Sequence, residues 1–183
     1  MPTILSHPAV PLAIAAGLGS GVISRRLLVA GIACSIAPDL DVYFGSTVAS
    51  GSALAHRGFT HSLPFAFICG LAALPAARWL RATPLAAFFF ISVCTASHGL
   101  LDAFTNGGPG IQFFWPFSAE RYFLPVQRVE VSPIGILRFF SLRGTYVLYS
   151  ELKWVWLPAA AIALAMYSLR KTRHPREGGN PGK

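Results

Sequence analysis

The chain has 183 residues, of which 54% are hydrophobic and only 12% are charged. An ordinary soluble domain carries about 25% charged residues, so these proportions exclude a typical soluble surface, and the many aliphatic and aromatic residues exclude a disordered chain. Lys and Arg outnumber Asp and Glu by 15 to 7, which gives a net charge of +8. The basic residues lie between apolar runs, which favours a topology signal over a nucleic-acid surface. We therefore predict an integral membrane protein that does not bind nucleic acid.

Five apolar runs follow one another along the chain. They cover residues 8–23, 27–37, 63–80, 84–104 and 154–169. A helix needs about 20 mostly apolar residues to cross a bilayer core of about 30 Å. The second run is too short to span alone and is ended by Pro38 and Asp39, so it either continues towards Phe44 or stops inside the protein. The predicted fold is all-α: a polytopic membrane helical bundle with four or five transmembrane helices.

The remaining segments form one long connection and one tail. Residues 105–151 are rich in Gly, Pro and aromatic residues, and a short apolar piece at 134–140 is assigned to the membrane interface. The tail from 171 to 183 is basic, contains Gly and Pro, and is predicted to be disordered. Residues 1–170 then form one membrane-embedded domain.

Three short segments between or after the apolar runs are basic. Their Arg and Lys residues include Arg25, Arg26, Arg78, Arg81, Arg170 and Lys171. With five spans these segments share one side, which the excess of positive charge marks as cytoplasmic. The N-terminus and residues 39–62 and 105–151 then lie on the non-cytoplasmic side, so that 105–151 is a long outer loop.

Four of the five histidines and all three aspartates fall on this outer side. They are His7, Asp39, Asp41, His56, His61, His98 and Asp102. At 1.5 Å rise per residue, His98 and Asp102 lie roughly 21 and 27 Å along the fourth run, close to its outer end. Ionisable groups at membrane depth are costly and usually functional, so we interpret this convergence as a metal centre.

The spacing of these residues is compatible with metal binding. His98 and Asp102 are four residues apart and share a helix face, so they either bind one ion or pair as ligand and orienting group. Asp39 and Asp41 follow Pro38 and either bridge two cations or divide into ligand and orienting group. Mixed His and Asp ligands suit Zn²⁺, with Mn²⁺ or Fe²⁺ as alternatives. Seven groups exceed one tetrahedral site, which gives one or two ions.

Three sequence blocks resemble the YdjM/YbcI-type family of bacterial inner-membrane metal-dependent hydrolases. The most specific block reads HRGFTHS at 56–62, and the others read PDLD at 38–41 and HGLLDAFT at 98–105. The resemblance covers most of residues 1–120 and implies a metal-dependent hydrolase without a defined substrate. The metal-binding residues that it implies are Asp39, Asp41, His56, His61, His98 and Asp102, and His7 fits the N-terminal His usual in the family.

The leading functional hypothesis is hydrolysis of an ester or phosphoester in a lipid or lipid-linked substrate by metal-activated water. Asp39, Asp102 and Arg57 are the candidate catalytic residues, with an Asp as general base. Arg57 either binds a substrate phosphate as a bidentate fork or anchors to lipid headgroups.

Two further residues and two further functions remain open in the sequence. Arg121 is a second candidate for steadying the anion, and Glu151 is either an extra ligand or an acid at a helix start that favours the helix dipole. The alternative functions are a non-enzymatic metal-binding membrane protein, such as a transporter or sensor, and a structural subunit whose His and Asp residues only pair with one another.

Overall fold

A computed structural model describes residues 1–42, 52, 54–133 and 139–173 of the chain. Its α-helices are α1 (Ala9–Leu18), α2 (Arg25–Ile36), α3 (Leu63–Ala73), α4 (Pro84–Ala103), α5 (Leu142–Glu151) and α6 (Leu157–Arg173). Two 3₁₀ turns cover Ala37–Leu40 and Phe59–His61, and a π-helical turn covers Leu152–Trp156. Apart from two isolated backbone bridges, the described residues contain no strand. The all-α prediction is confirmed for them.

Two helical stretches of the described chain are long and apolar enough to cross a bilayer. One is α4, with 20 residues, and the other runs without interruption from Leu142 to Thr172, with 31. The apolar helices α1 and α3 have 10 and 11 residues, about half of what a span requires. The predicted number of four or five spans is therefore not confirmed.

The two short apolar helices end at residues that stop helices. Gly19 follows α1 with a φ of 79°, a positive value that glycine adopts readily and that does not continue a right-handed helix. Pro75 follows α3 and has no backbone N–H with which to continue the helical hydrogen bonds, so the regular helix ends at Ala73. The apolar runs 8–23 and 63–80 are thus helical only in their first parts, and their remainders lie in turns and bends.

The last long helix begins earlier than its hydropathy indicates, at Leu142 instead of residue 154. Its first part, α5, buries a partly polar face that includes Val147, Ser150 and Glu151. The prediction that residues 105–151 form one long connection is therefore wrong in its last part, because residues 142–151 are helical. At the other end α6 continues through Arg173, three residues into the predicted tail. Residues 134–138 and 174–183 lie outside the described part of the chain, so neither the interfacial piece nor most of the tail is tested.

The exposed surface of α6 suits a lipid environment. Its half-buried residues recur every three to four positions and pack against α1, as Met166 does at Gly17 and Ala159 does at Ala9. The remaining faces expose large apolar side chains, including Leu157, Ile162, Leu164 and Leu169. An apolar helix with one packed face and several exposed ones is stable in lipid and would aggregate in water.

The basic segments gather at one end of the helices. Ser24 donates a hydrogen bond to the Leu80 carbonyl, and Arg26 donates to the Trp79 carbonyl at 3.0 Å. Arg170 lies against Gly19 at the same end. The candidate ligands lie at the opposite end, where α2 and α4 finish and α1 and α3 begin. This agrees with the predicted separation of basic segments from the His and Asp residues.

Gly99 allows α4 to touch the turn that carries His61. A Cβ at this position would lie 2.6 Å from the His61 carbonyl oxygen, a backbone atom that cannot move aside cheaply. We expect Gly99→Ala to destabilise the protein by about 1–3 kcal/mol through overpacking, as measured by thermal unfolding in detergent. Gly21→Ala is the control, because a Cβ there meets nothing within 4 Å. Equal melting temperatures for the two variants would contradict this contact.

Candidate metal centre

Four chain segments bring six of the predicted ligands together. These side chains are His7, Asp39, His56, His61, His98 and Asp102. His7 lies in the turn before α1, and Asp39 lies in the 3₁₀ turn that Pro38 starts after α2. His56 and His61 precede α3, and the other two residues lie in the last turns of α4. The convergence predicted from the distribution of Arg and Lys is present in the fold.

One group of possible metal-binding atoms belongs to His7, Asp39 and His98, all of them buried. Nε2 of His98 lies 3.3 Å from Oδ1 of Asp39, and Nε2 of His7 lies 3.6 Å from Oδ2 of the same carboxylate. The two imidazole rings stack with their centroids 3.9 Å apart. Two imidazoles and one carboxylate are a donor set that suits a zinc ion with one open position.

A second group belongs to Asp39, His56, His61 and Asp102. Nε2 of His61 lies 3.8 Å from Oδ1 of Asp39 and 3.6 Å from Oδ2 of Asp102. His56 is the most exposed of these side chains, at 26%. Asp39 is common to both groups and lies between them, so the arrangement is compatible with either one or two ions.

Three imidazoles are held through the ring nitrogen that faces away from the centre. Nδ1 of His98 donates to the Ser35 carbonyl at 2.8 Å, and Nδ1 of His56 donates to Oδ1 of Asp41 at 2.7 Å. Nδ1 of His61 lies 3.3 Å from Oδ2 of Asp41. Metal-binding histidines usually donate their second N–H in this way, which fixes the ring and directs the other nitrogen at the metal.

Asp41 therefore orients two imidazoles and belongs to neither donor group. Its Oδ2 also accepts a hydrogen bond from the Thr60 hydroxyl at 2.8 Å. Of the two alternatives for the Asp39 and Asp41 pair, this geometry favours the division into ligand and orienting group. The Ser35 carbonyl is a contribution that sequence reasoning missed, because any residue type supplies a backbone oxygen.

Several buried polar atoms at the centre have no hydrogen-bond partner among the described residues. They are both ring nitrogens of His7 and both carboxylate oxygens of Asp39 and Asp102. Buried polar groups are nearly always hydrogen-bonded in native proteins, and an uncompensated buried carboxylate is costly. A divalent cation satisfies this combination of imidazole nitrogens and carboxylate oxygens, so the residues present fit such an ion.

His7 is also in the protonation state that a metal requires. Burial, with the neighbouring His98 as a smaller cause, lowers the pKa of His7 to about 3. The imidazole is therefore neutral at physiological pH, which is the form that binds metal.

Arg57 is fully engaged with protein groups and is 1% exposed. Its Nε lies 3.0 Å from Oδ2 of Asp102 as an ion pair, and its terminal nitrogens donate to the Gly107 and Pro109 carbonyls and to the Thr105 hydroxyl at 2.7–3.0 Å. Arg57 would need an accessible guanidinium either to bind a substrate phosphate or to anchor to lipid headgroups. The geometry instead favours a role in which Arg57 holds Asp102 against the following loop.

The comparisons with known proteins agree with the sequence blocks. Residues 1–174 match the family model described as YdjM inner membrane protein. The chain belongs to this family. It is 48% identical over 160 residues to the inner membrane protein YbcI of Escherichia coli (strain K12), an alignment that covers 86% of this chain and 92% of that protein. No solved structure matches the chain.

Membership of the YdjM family confirms the resemblance and supports an inner-membrane location, in keeping with the two long apolar helices. Both descriptions state a location and name no reaction.

Two other candidate residues of this YdjM-family protein lie outside both donor groups. Arg121 donates to the carbonyls of Arg57 and Gly110, at 3.3 and 2.9 Å, and so braces the loop. Glu151 is buried and accepts hydrogen bonds from Thr3 and Ser6. The interpretation of Glu151 as a helix-start acid is wrong, because the helix that contains it begins at Leu142.

Proposed function

We propose that this inner membrane protein is a metal-dependent hydrolase that cleaves an ester or phosphoester of a lipid or lipid-linked substrate. The observation that carries the proposal is the set of buried donor atoms on His7, Asp39 and Asp102 that no hydrogen bond from the described residues satisfies, of which only Oδ2 of Asp102 has a permanently charged partner, Arg57. Such a cluster is expensive without a cation, and a metal with an open position is a common hydrolytic device.

The position of the centre favours a hydrolase over a metal transporter. The ligands lie at helix ends: Asp39 follows α2, His61 precedes α3, and Asp102 lies in the last turn of α4. Transporters commonly hold ions near the bilayer midplane, between broken helices. We assign the centre to the non-cytoplasmic face, because the basic segments lie at the opposite end of the bundle.

The chain's own residues have distinct parts in this chemistry. His7 and His98 would hold one ion with Asp39, and His56, His61 and Asp102 would hold a second ion, also with Asp39. When bound, a divalent cation polarises the scissile group and lowers the pKa of a coordinated water.

Asp102 is the candidate general base. Its Oδ2 faces His61 and Arg57, whereas its Oδ1 lies 3.9 Å from Nε2 of His7. We assign Oδ1 to accepting the proton of the attacking water. Arg57 keeps the carboxylate in this orientation and acts on the reaction only through it.

A lipid substrate is supported by the apolar surroundings of the centre. The loop that follows α4 exposes aromatic side chains, among them Phe114, Phe117 and Phe123. Aromatic residues are enriched at the membrane interface, so this end of the protein suits a substrate whose apolar part stays in the bilayer.

We expect His61→Ala and Asp102→Ala to lose bound metal and hydrolysis together. Each side chain supplies a donor atom to the group that contains Asp39 and His56. Metal is measured by elemental analysis of the protein purified in detergent, and hydrolysis is measured on a panel of phosphoester and carboxylester lipids. Glu120→Ala, which removes an exposed carboxylate hydrogen-bonded to Tyr122, is the control that keeps both properties.

Two outcomes count against the proposal. Full metal content in both variants would show that the site is assigned to the wrong residues. Metal flux into proteoliposomes, without turnover of any ester on the panel, would reverse the choice between hydrolase and transporter.

A further inference from the structure

Glu151 is a buried carboxylate that the proposed chemistry does not use. It is 1% exposed and lies at the end of α5, directly before the π-helical turn Leu152–Trp156. None of the ion pairs among the described residues includes it. Because a buried carboxylate needs compensation, its hydrogen-bond partners indicate what it does.

The carboxylate of Glu151 holds the N-terminal turn. It accepts hydrogen bonds from the backbone N–H of Thr3, from the Thr3 hydroxyl at 2.6 Å and from the Ser6 hydroxyl at 2.7 Å. Both hydroxyl residues are themselves buried. Three donors satisfy the carboxylate and fix the turn to the long helix, and the next residue along the chain is His7.

His7 differs from the other imidazoles of the centre in how it is held. Ser35 orients His98, and Asp41 orients His56 and His61, each through the outer ring nitrogen. Both ring nitrogens of His7 lack such a partner among the described residues. Its ring is stacked on His98, so its position depends on that contact and on the backbone that carries it.

We propose that Glu151 is a positioning residue of the metal centre, which keeps His7 against Asp39 and His98 by clamping Thr3 and Ser6. These hydrogen bonds from Thr3 and Ser6 to Glu151, the clamp, take the place of the direct ring acceptor that the other imidazoles have. The proposal rests on the proposed metal centre and does not depend on which reaction the protein catalyses. Groups that orient a metal-binding histidine typically contribute 10–100-fold to metal affinity.

The test uses Co²⁺ and the full chain in detergent. Glu151→Ala is expected to weaken Co²⁺ binding about 10-fold and to alter the visible absorption spectrum, which reports the ligand set. Glu151→Gln is expected to retain affinity and spectrum, because its amide oxygen accepts from the Thr3 N–H while its NH₂ donates to the two hydroxyls. Glu130→Ala, which removes a carboxylate paired with Arg143, is the matched control with unchanged affinity.

A double variant separates positioning of His7 from general loss of structure. In a His7→Ala background the ligand that Glu151 holds is absent, so Glu151→Ala should produce no further loss of Co²⁺ affinity. A further loss of Co²⁺ affinity of about 10-fold on adding Glu151→Ala to His7→Ala would overturn the proposal. Ser6→Ala, which removes one of the three hydrogen bonds, is the milder variant if Glu151→Ala does not fold, and an unchanged affinity in Ser6→Ala would contradict the clamp.

The remaining outcomes distinguish the clamp from the metal centre. Absence of Co²⁺ binding by the unmodified protein would overturn the centre and the clamp with it. Normal binding by the unmodified protein and by Glu151→Ala would overturn the clamp alone. Equal losses in Glu151→Gln and Glu151→Ala would also overturn it, since they would indicate that the negative charge or direct ligation by Glu151 is required.

Discussion

Asp39→Ala is expected to abolish metal binding by the whole centre, because Asp39 is the residue shared by both donor groups. Its two oxygens lie 3.3–3.8 Å from nitrogens of His7, His61 and His98. The loss of metal affinity in Asp39→Ala should exceed the roughly 10–100-fold loss that is typical when a residue that only orients a ligand is removed. Metal content is measured by elemental analysis of detergent-purified protein that has been reloaded after chelation.

Asp41→Ala is the matched comparison for this prediction. The two aspartates are two positions apart, but Asp41 acts through His56 and His61 and belongs to neither donor group. Asp41→Ala should lower the metal affinity by about 10–100-fold. Its full metal content should return at high metal concentration. An effect of Asp41→Ala as large as that of Asp39→Ala would contradict the division of roles between them.

The sequence predicts most accurately the elements whose apolar pattern and stop signals coincide. The run 84–104 becomes α4, Pro84–Ala103, because Thr83 caps it and no Gly or Pro breaks its first half. The helix in the run 63–80 ends at Ala73 although the run stays hydrophobic, because Pro75 lacks the N–H that would continue the helical hydrogen bonds. Hydropathy also misses α5, because the face that it buries includes Ser150 and Glu151.

The candidate site was largely predictable because its residues lie at helix ends on one side of the chain's topology. What the sequence does not reveal is which oxygen faces which nitrogen. Arg57 takes its place from the carbonyls of Gly107 and Pro109, and His98 takes its orientation from the Ser35 carbonyl. Backbone acceptors carry no residue signature, so contacts of this kind require the fold.

Arg57→Met is expected to destabilise the metal-free protein by about 3–5 kcal/mol. The substitution keeps much of the side-chain volume but leaves the buried carboxylate of Asp102 without its cation partner. It also leaves the Gly107 and Pro109 carbonyls without their donors. Unfolding is followed by circular dichroism in detergent, with Arg143→Met as the control. That variant breaks a pair with Glu130 in which the arginine is 48% exposed, and it should cost about 1 kcal/mol or less.

Two further measurements test whether the uncompensated charge of Asp102 causes the loss of stability in Arg57→Met. A bound cation neutralises Asp102 in place of the guanidinium, so added Zn²⁺ should raise the melting temperature of Arg57→Met more than that of the unmodified protein. In an Asp102→Asn background, which removes the charge, Arg57→Met should cost less, since only the unpaired carbonyls remain. An equal cost in both backgrounds would mean that Arg57 stabilises the loop at 105–109 and has no part in holding Asp102 for the metal centre.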